Sequence, residues 1–244
     1  MTISACLWEL IHAACITACL FLFGKTLLCR CLLAMVTFVM KAKPGLTREV
    51  NGLVVPIAGS YTLDVEKSVV KASVRHMMLT TVKGYLKLLP TEVHIAEQIE
   101  DSWVQVQVDV STLNTRDSIR DNYLRSSEFL DVESYPTFEF KSTALGPKLP
   151  GWMLQGDLSI KDLTKSVVFE VDFYKVTVEN DVGAGDVAGA DTVGRLFFSA
   201  WTELDREEWG LTWSRAIEAG GVVVSKKIRV DMEIQAVAVR KTKR

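Results

Sequence analysis

Few side chains in this chain have the type and position to do chemistry. Asp64 and Asp121 could serve as a base inside a pocket, but nothing pairs either with a nucleophile. His12, His76 and His94 form no cluster of the kind that holds zinc or builds a hydrolase triad. All five cysteines (Cys6, Cys15, Cys19, Cys29 and Cys31) lie in the first 31 residues, and Cys15-x3-Cys19 and Cys29-x-Cys31 lack a second pair at zinc-site spacing. The rest of the chain therefore folds without disulfides. Arg120 and Arg125 have the planar guanidinium that suits a phosphate headgroup. Their structural reading takes precedence, with a short helix tied down by charge-assisted bonds to Asp131 or Glu133. Tyr123, Leu124, Phe129, Tyr135, Phe138 and Phe140 make an apolar stretch that could be core or ligand wall. In a hollow barrel these are the same surface.

The 244 residues carry a formal net charge of −2, with 48% hydrophobic and 24% charged residues. That balance allows a sizeable core and offers no basic field for nucleic acid. The single basic run, Arg240, Lys241, Lys243 and Arg244, reads as a solvated tail. Residues 1–43 form an apolar N-terminal segment with runs at Leu10–Gly24 and Leu27–Met40, each short of the roughly 20 residues that cross a bilayer. Glu9 precedes the first run, whereas Lys25, Arg30, Lys41, Lys43 and Arg48 follow it. This asymmetry opposes an export signal. It favours the cytoplasm, or an anchor at the cytoplasmic face with membrane contact through residues 7–40, over secretion. Ile16-Thr17-Ala18-Cys19 has the form of a lipoprotein box, but apolar residues follow it where a polar tether belongs. A start at Met35 or Met40 accounts for the segment equally well. Pro44-Gly45 opens a linker, 44–58, before a folded domain at 59–240.

Period-two alternation dominates that domain. Val104, Val106, Val108 and Val110 share one face; so do Val167, Phe169, Val171 and Phe173, and again Ile228, Val230, Met232 and Ile234. Further strands are expected at Ser60–Asp64, Ser68–Arg75, Thr80–Leu88, Val93–Glu97, Thr137–Ala144, Leu154–Ile160 and Thr192–Leu204. Gly84 and Gly156 mark bulges or bends. A helix is expected at Arg116–Ser126, with Ile119 and Tyr123 on one face, and a short turn at Asp205–Trp209. The fold class is all-β, about eight strands with a short helix across one end. Periodicity does not decide between sandwich and barrel, nor between a filled and a hollow barrel. Asn180–Asp191 reads as a long loop at a barrel mouth, and Trp201, Trp209 and Trp213 as a cap on the barrel end.

The segment Val110–Thr143 closely resembles the signature of the YceI family. Thr112-Leu113-Asn114-Thr115 leads to Arg120-Asp121-Asn122-Tyr123-Leu124-Arg125-Ser126, then Phe129-Leu130-Asp131-Val132, Tyr135-Pro136 and Phe140-Lys141-Ser142-Thr143. Tyr61–Asp64 with Ser68, Val74-Arg75-His76, Val82–Tyr85, Gly156–Lys165, Gly194-Arg195 and Trp209–Leu211 agree with its flanks, so the resemblance spans about residues 55–240. Lys67 stands where the family usually has a histidine. The resemblance implies a closed antiparallel lipocalin-like β-barrel whose tunnel binds, carries or stores an isoprenoid lipid of quinone or polyprenyl type, without catalysis, cofactor or metal. It also implies a homodimer as one form. Val74, His76, Arg120, Tyr123, Leu124, Phe129, Tyr135, Phe138 and Phe140 are the expected lining or mouth, with His76 either a buried histidine bonded to backbone or a ring near the headgroup. The rival readings are a filled barrel acting in stress response or protein interaction, and an enzyme using Asp64 or Asp121.

Overall fold

The computed structural model describes residues 45–76, 80–179, 193–212 and 224–239. Twelve strands are present: β1 (Thr47–Val50), β2 (Leu53–Pro56), β3 (Gly59–Leu63), β4 (Val69–His76), β5 (Thr80–Leu88), β6 (Glu92–Ile95), β7 (Trp103–Asn114), β8 (Thr137–Lys148), β9 (Gly151–Ile160), β10 (Leu163–Glu179), β11 (Val193–Asp205) and β12 (Val224–Ala238). One helix, α1 (Ser118–Arg125), and single 3-10 turns at Ile99–Asp101 and Arg206–Trp209 complete the described residues.

Hydrogen bonding decides between sandwich and barrel. The order β11-β10-β9-β8-β7-β5-β4-β12 closes because β12 also pairs with β11. Every pairing is antiparallel. The ring has eight members, and closure removes the free edges a sandwich would leave. Two members are broken. β12 pairs with β4 along Val224–Glu233 and with β3 along Ala236–Ala238, while β7 pairs with β6 at Trp103 and Val104 and with β5 farther on. The kinks after Leu63 and Leu88 therefore split the wall between β7 and β12 into a β4–β5 end and a β3–β6 end.

The alternating residues behave as pleat geometry requires. Val106, Val108, Phe169, Met232 and Ile228 face the interior, and Val110, Leu196 and Ala236 are buried in the core. Gly156 pairs with Ser142 beside a register shift in β8, and Gly84 lies next to a shift in β5. At both glycines a Cβ would meet packed neighbours: Phe140 at Gly156, and Leu113 and Thr115 at Gly84.

Two expectations change. Residues 44–58 are not a plain linker, because β1 and β2 form a hairpin within them. Its turn residues Asn51 and Gly52 have φ of 53° and 77°, the left-handed pair that a type I′ hairpin turn demands. The tryptophan cap is also divided. Trp209 is buried and donates Nε1–H to the Leu158 carbonyl (3.2 Å), but Trp201 follows the inward Ala200 and so turns outward, under the Arg229 guanidinium at 4.4 Å. Trp213, the Asn180–Asp191 loop, the basic tail and the apolar N-terminal segment lie outside the described residues.

Candidate functional site: a two-compartment apolar interior

The helix is fixed at one barrel end by a compact polar lock. Asp117 caps α1 by accepting from the Arg120 backbone N–H (3.1 Å). The buried Asp121 carboxylate accepts from the Thr115 backbone N–H (2.9 Å) and hydroxyl (2.5 Å). Arg120 donates Nε–H to Thr115 Oγ1 (2.8 Å) and Nη2–H to the Thr115 carbonyl (3.0 Å), and its Nη1 lies 3.5 Å from Asp117. Arg125 donates to the Asp121 carbonyl (3.2 Å). The arginines thus bond to the helix and the end of β7, not to Asp131 or Glu133. A threonine, an aspartate six residues on and the arginine beside it join strand to helix.

Beneath α1 lies a cavity of about 610 Å³. Val74, His76, Arg120, Tyr123, Leu124, Phe129, Phe138 and Phe140 all line it, so eight of the nine expected positions converge on one space. Tyr135 does not. It sits half-buried in the turn that follows α1, where its N–H donates to the Asp131 carbonyl (2.8 Å); the next residue, Pro136, ties that turn to Val110 (2.9 Å). At the helix end of this wall stand Thr115, Asp117 and Arg120, and Ser73, His76, Glu139 and Arg206 add polar groups elsewhere on it. His76 closes β4, with Nδ1 3.5 Å from Thr80 Oγ1. Ile119 is also at this mouth and is 83% exposed, so it does not share the sheltered environment of Tyr123.

A second cavity, about 140 Å³, occupies the β3–β6 end. Val106, Phe140, Phe169 and Met232 line both spaces. They form a waist, with Phe140 and Phe169 edge-to-face at 5.1 Å and 76°. Beyond it the wall is almost wholly apolar, with His94 and Ser102 the exceptions. His94 stacks on Trp103 at 5.9 Å. Val55 and Pro56 from the hairpin complete this end. Sequence reasoning missed these two residues, although the Asn51-Gly52 turn leading into the apolar Leu53–Pro56 was the available signal.

The candidate bases are occupied elsewhere. Asp64 bonds Arg195 Nη1 at 2.5 Å and lies 3.7 Å from Lys67, on neither cavity wall. Burial alone would raise its pKa, but the Arg195 bond and charge, with Lys67, outweigh it and hold the carboxyl below its ordinary value. Asp121 is committed to Thr115. Tyr61 donates to the Ile57 carbonyl (2.8 Å), and burial pushes its phenol up to about 12. Among the described residues no three His, Cys, Asp or Glu side chains are grouped to hold a metal.

Comparison with known proteins agrees with this architecture. UPF0312 protein SAB2563 of Staphylococcus aureus (strain bovine RF122 / ET3-1) is 28% identical over 177 residues, covering 70% of this chain and 94% of the relative. Burkholderia cenocepacia BcnA superposes with a TM-score of 0.54 at 19% identity, over 72% of this chain and 99% of that one. A polyisoprenoid binding domain from Saccharophagus degradans, implicated in plant cell wall breakdown, superposes with a TM-score of 0.52 at 12% identity, over 73% and 98% of the two chains. At those identities the superpositions speak for the fold. The model of the YceI-like domain matches residues 61–236, from the first barrel strand to the last, and the chain belongs to the YceI family.

Proposed function

We propose that the barrel binds one isoprenoid lipid of quinone or polyprenyl type, with its polar head at the α1 end and its tail across the Phe140–Phe169 waist, and holds it without chemical change. The observation that carries this reading is a hollow apolar interior of about 610 Å³ beneath α1 with a second apolar compartment in line behind it. A barrel packed solid for an interaction role would have no such space. The volume is that of a ligand pocket, and a filled ligand site of this kind needs few polar anchors. Each buried methylene contributes roughly 0.8 kcal/mol, so several five-carbon units supply ample affinity without a hydrogen bond. The polyisoprenoid binding domain of similar fold supports the ligand class. Carriage or storage, without catalysis, is supported by the two candidate bases, Asp64 and Asp121, which are tied to Arg195 and Thr115 and line neither cavity.

Trp103 and Trp152 line the inner compartment, which supplies the test. Titrating the delipidated protein with a long-tailed quinone should quench tryptophan emission and saturate at one quinone per chain. Weak, non-saturating quenching equal to that of free tryptophan would contradict the proposal.

A further inference from the structure

We infer that the β1–β2 hairpin is a built-in stopper that sets how long an isoprenoid tail the barrel accepts, with Val55 as the residue that meets the tail's far end. The inference rests on the lipid reading above and concerns its specificity. The hairpin lies outside residues 61–236, the part matched by the family's domain. It is also fastened across the inner end. Leu46, just before β1, lies over Gly194 of β11, where an added Cβ would come within 2.9 Å of its Cδ2. Arg48 donates to the backbone carbonyls of Ala96 and Glu97 beyond β6, and its Nη1 lies 3.1 Å from Glu97 Oε2. Tyr61 of β3 donates to the Ile57 carbonyl just after β2. Three separate places on the rim therefore hold one small hairpin.

Its inner strand reaches the cavity. Val55 is 1% exposed yet lines the inner compartment together with Pro56. A side chain that is shielded from solvent but borders empty apolar space is where a hydrocarbon tail would end. The opposite end cannot supply this limit, because its mouth is bordered by the exposed Ile119 and by polar groups. A tail that enters at α1 and passes the waist has its reach limited by the distance to Val55. Enlarging that residue shortens the usable tunnel, and truncating it lengthens the tunnel.

The test loads the delipidated full chain with an equimolar ladder of polyprenols of graded length and reads the bound species by native mass spectrometry. Val55→Phe should move the bound distribution to shorter chains by at least one isoprene unit, and Val55→Ala to longer ones. Should Val55→Phe fold poorly, Arg48→Ala decides the matter, since it releases the rim bonds without altering the core; its distribution should broaden toward longer chains. A wild type that loads polyprenols while all the folded variants keep its length distribution would overturn the stopper and leave the lipid reading intact. A wild type that loads no polyprenol of any length would overturn both.

Discussion

Replacing Gly156 by alanine tests the contact on which the waist depends. An added Cβ would come 2.5 Å from Phe140 Cζ and 2.6 Å from Cε2, and would also collide with the Lys141 carbonyl oxygen. The ring, edge-to-face with Phe169, can yield only into the cavities it lines, whereas the carbonyl belongs to the β8–β9 ladder and cannot. Overpacking of this kind costs about 1–3 kcal/mol, and a backbone clash belongs at the upper end. The stiffer unfolded chain returns about 0.4–1 kcal/mol. The net loss is about 2 kcal/mol, which for a chain of this size lowers Tm by roughly 4–8 °C. Gly146 is the control, since a Cβ there meets nothing within 4 Å. Calorimetric melting of both variants, with quinone uptake measured alongside, should show Gly156→Ala melting lower and taking up less quinone as Phe140 is pushed into the waist, and Gly146→Ala melting slightly above wild type with unchanged uptake. Gly156→Ala melting at or above wild type would refute the packing described here.

Phe129→Ala and Phe140→Ala should each cost less than the roughly 3–5 kcal/mol of a fully packed core phenylalanine, because each ring borders empty space. Each should weaken quinone retention at least tenfold; the full stability loss with unchanged retention would make these residues plain core. Asp64→Asn should cost about 2 kcal/mol at neutral pH by removing a charged partner of Arg195. The folded pKa of Asp64 lies below its unfolded value, so its contribution is present above about pH 3.9 and is lost as pH falls through the folded pKa. Chemical denaturation at a series of pH values should show the two proteins converging in acid, and a constant gap would contradict the pairing.

The strands were legible because each has one face to hide, and the helix was placed correctly although Ile119, half of its expected apolar face, is exposed. Val104–Val110 and Ile228–Ile234 announce themselves by strict alternation, and the same alternation, followed one residue past Ala200, turns Trp201 outward. Sheet closure was legible only through the resemblance to the YceI family, because it depends on the β11–β12 pairing and alternation is the same in a sandwich. The hollow interior was hidden for a related reason: Phe140 and Phe169 have the same pattern whether their neighbours fill the barrel or leave space. Eight of the nine expected lining residues fell on one cavity because the Thr115–Asp121 lock sets α1 over the strands that follow it. The hairpin was overlooked because Pro44-Gly45 and short strands of four residues read as linker, although Asn51-Gly52 carried the turn.

The most direct measurement is native mass spectrometry of the full-length protein purified from its own host, followed by identification of what it releases. One polyprenyl-tailed molecule per chain is the expected result, and it would name the ligand. A protein that arrives bare, and that also takes up neither added quinones nor polyprenols, would contradict the lipid-binding reading.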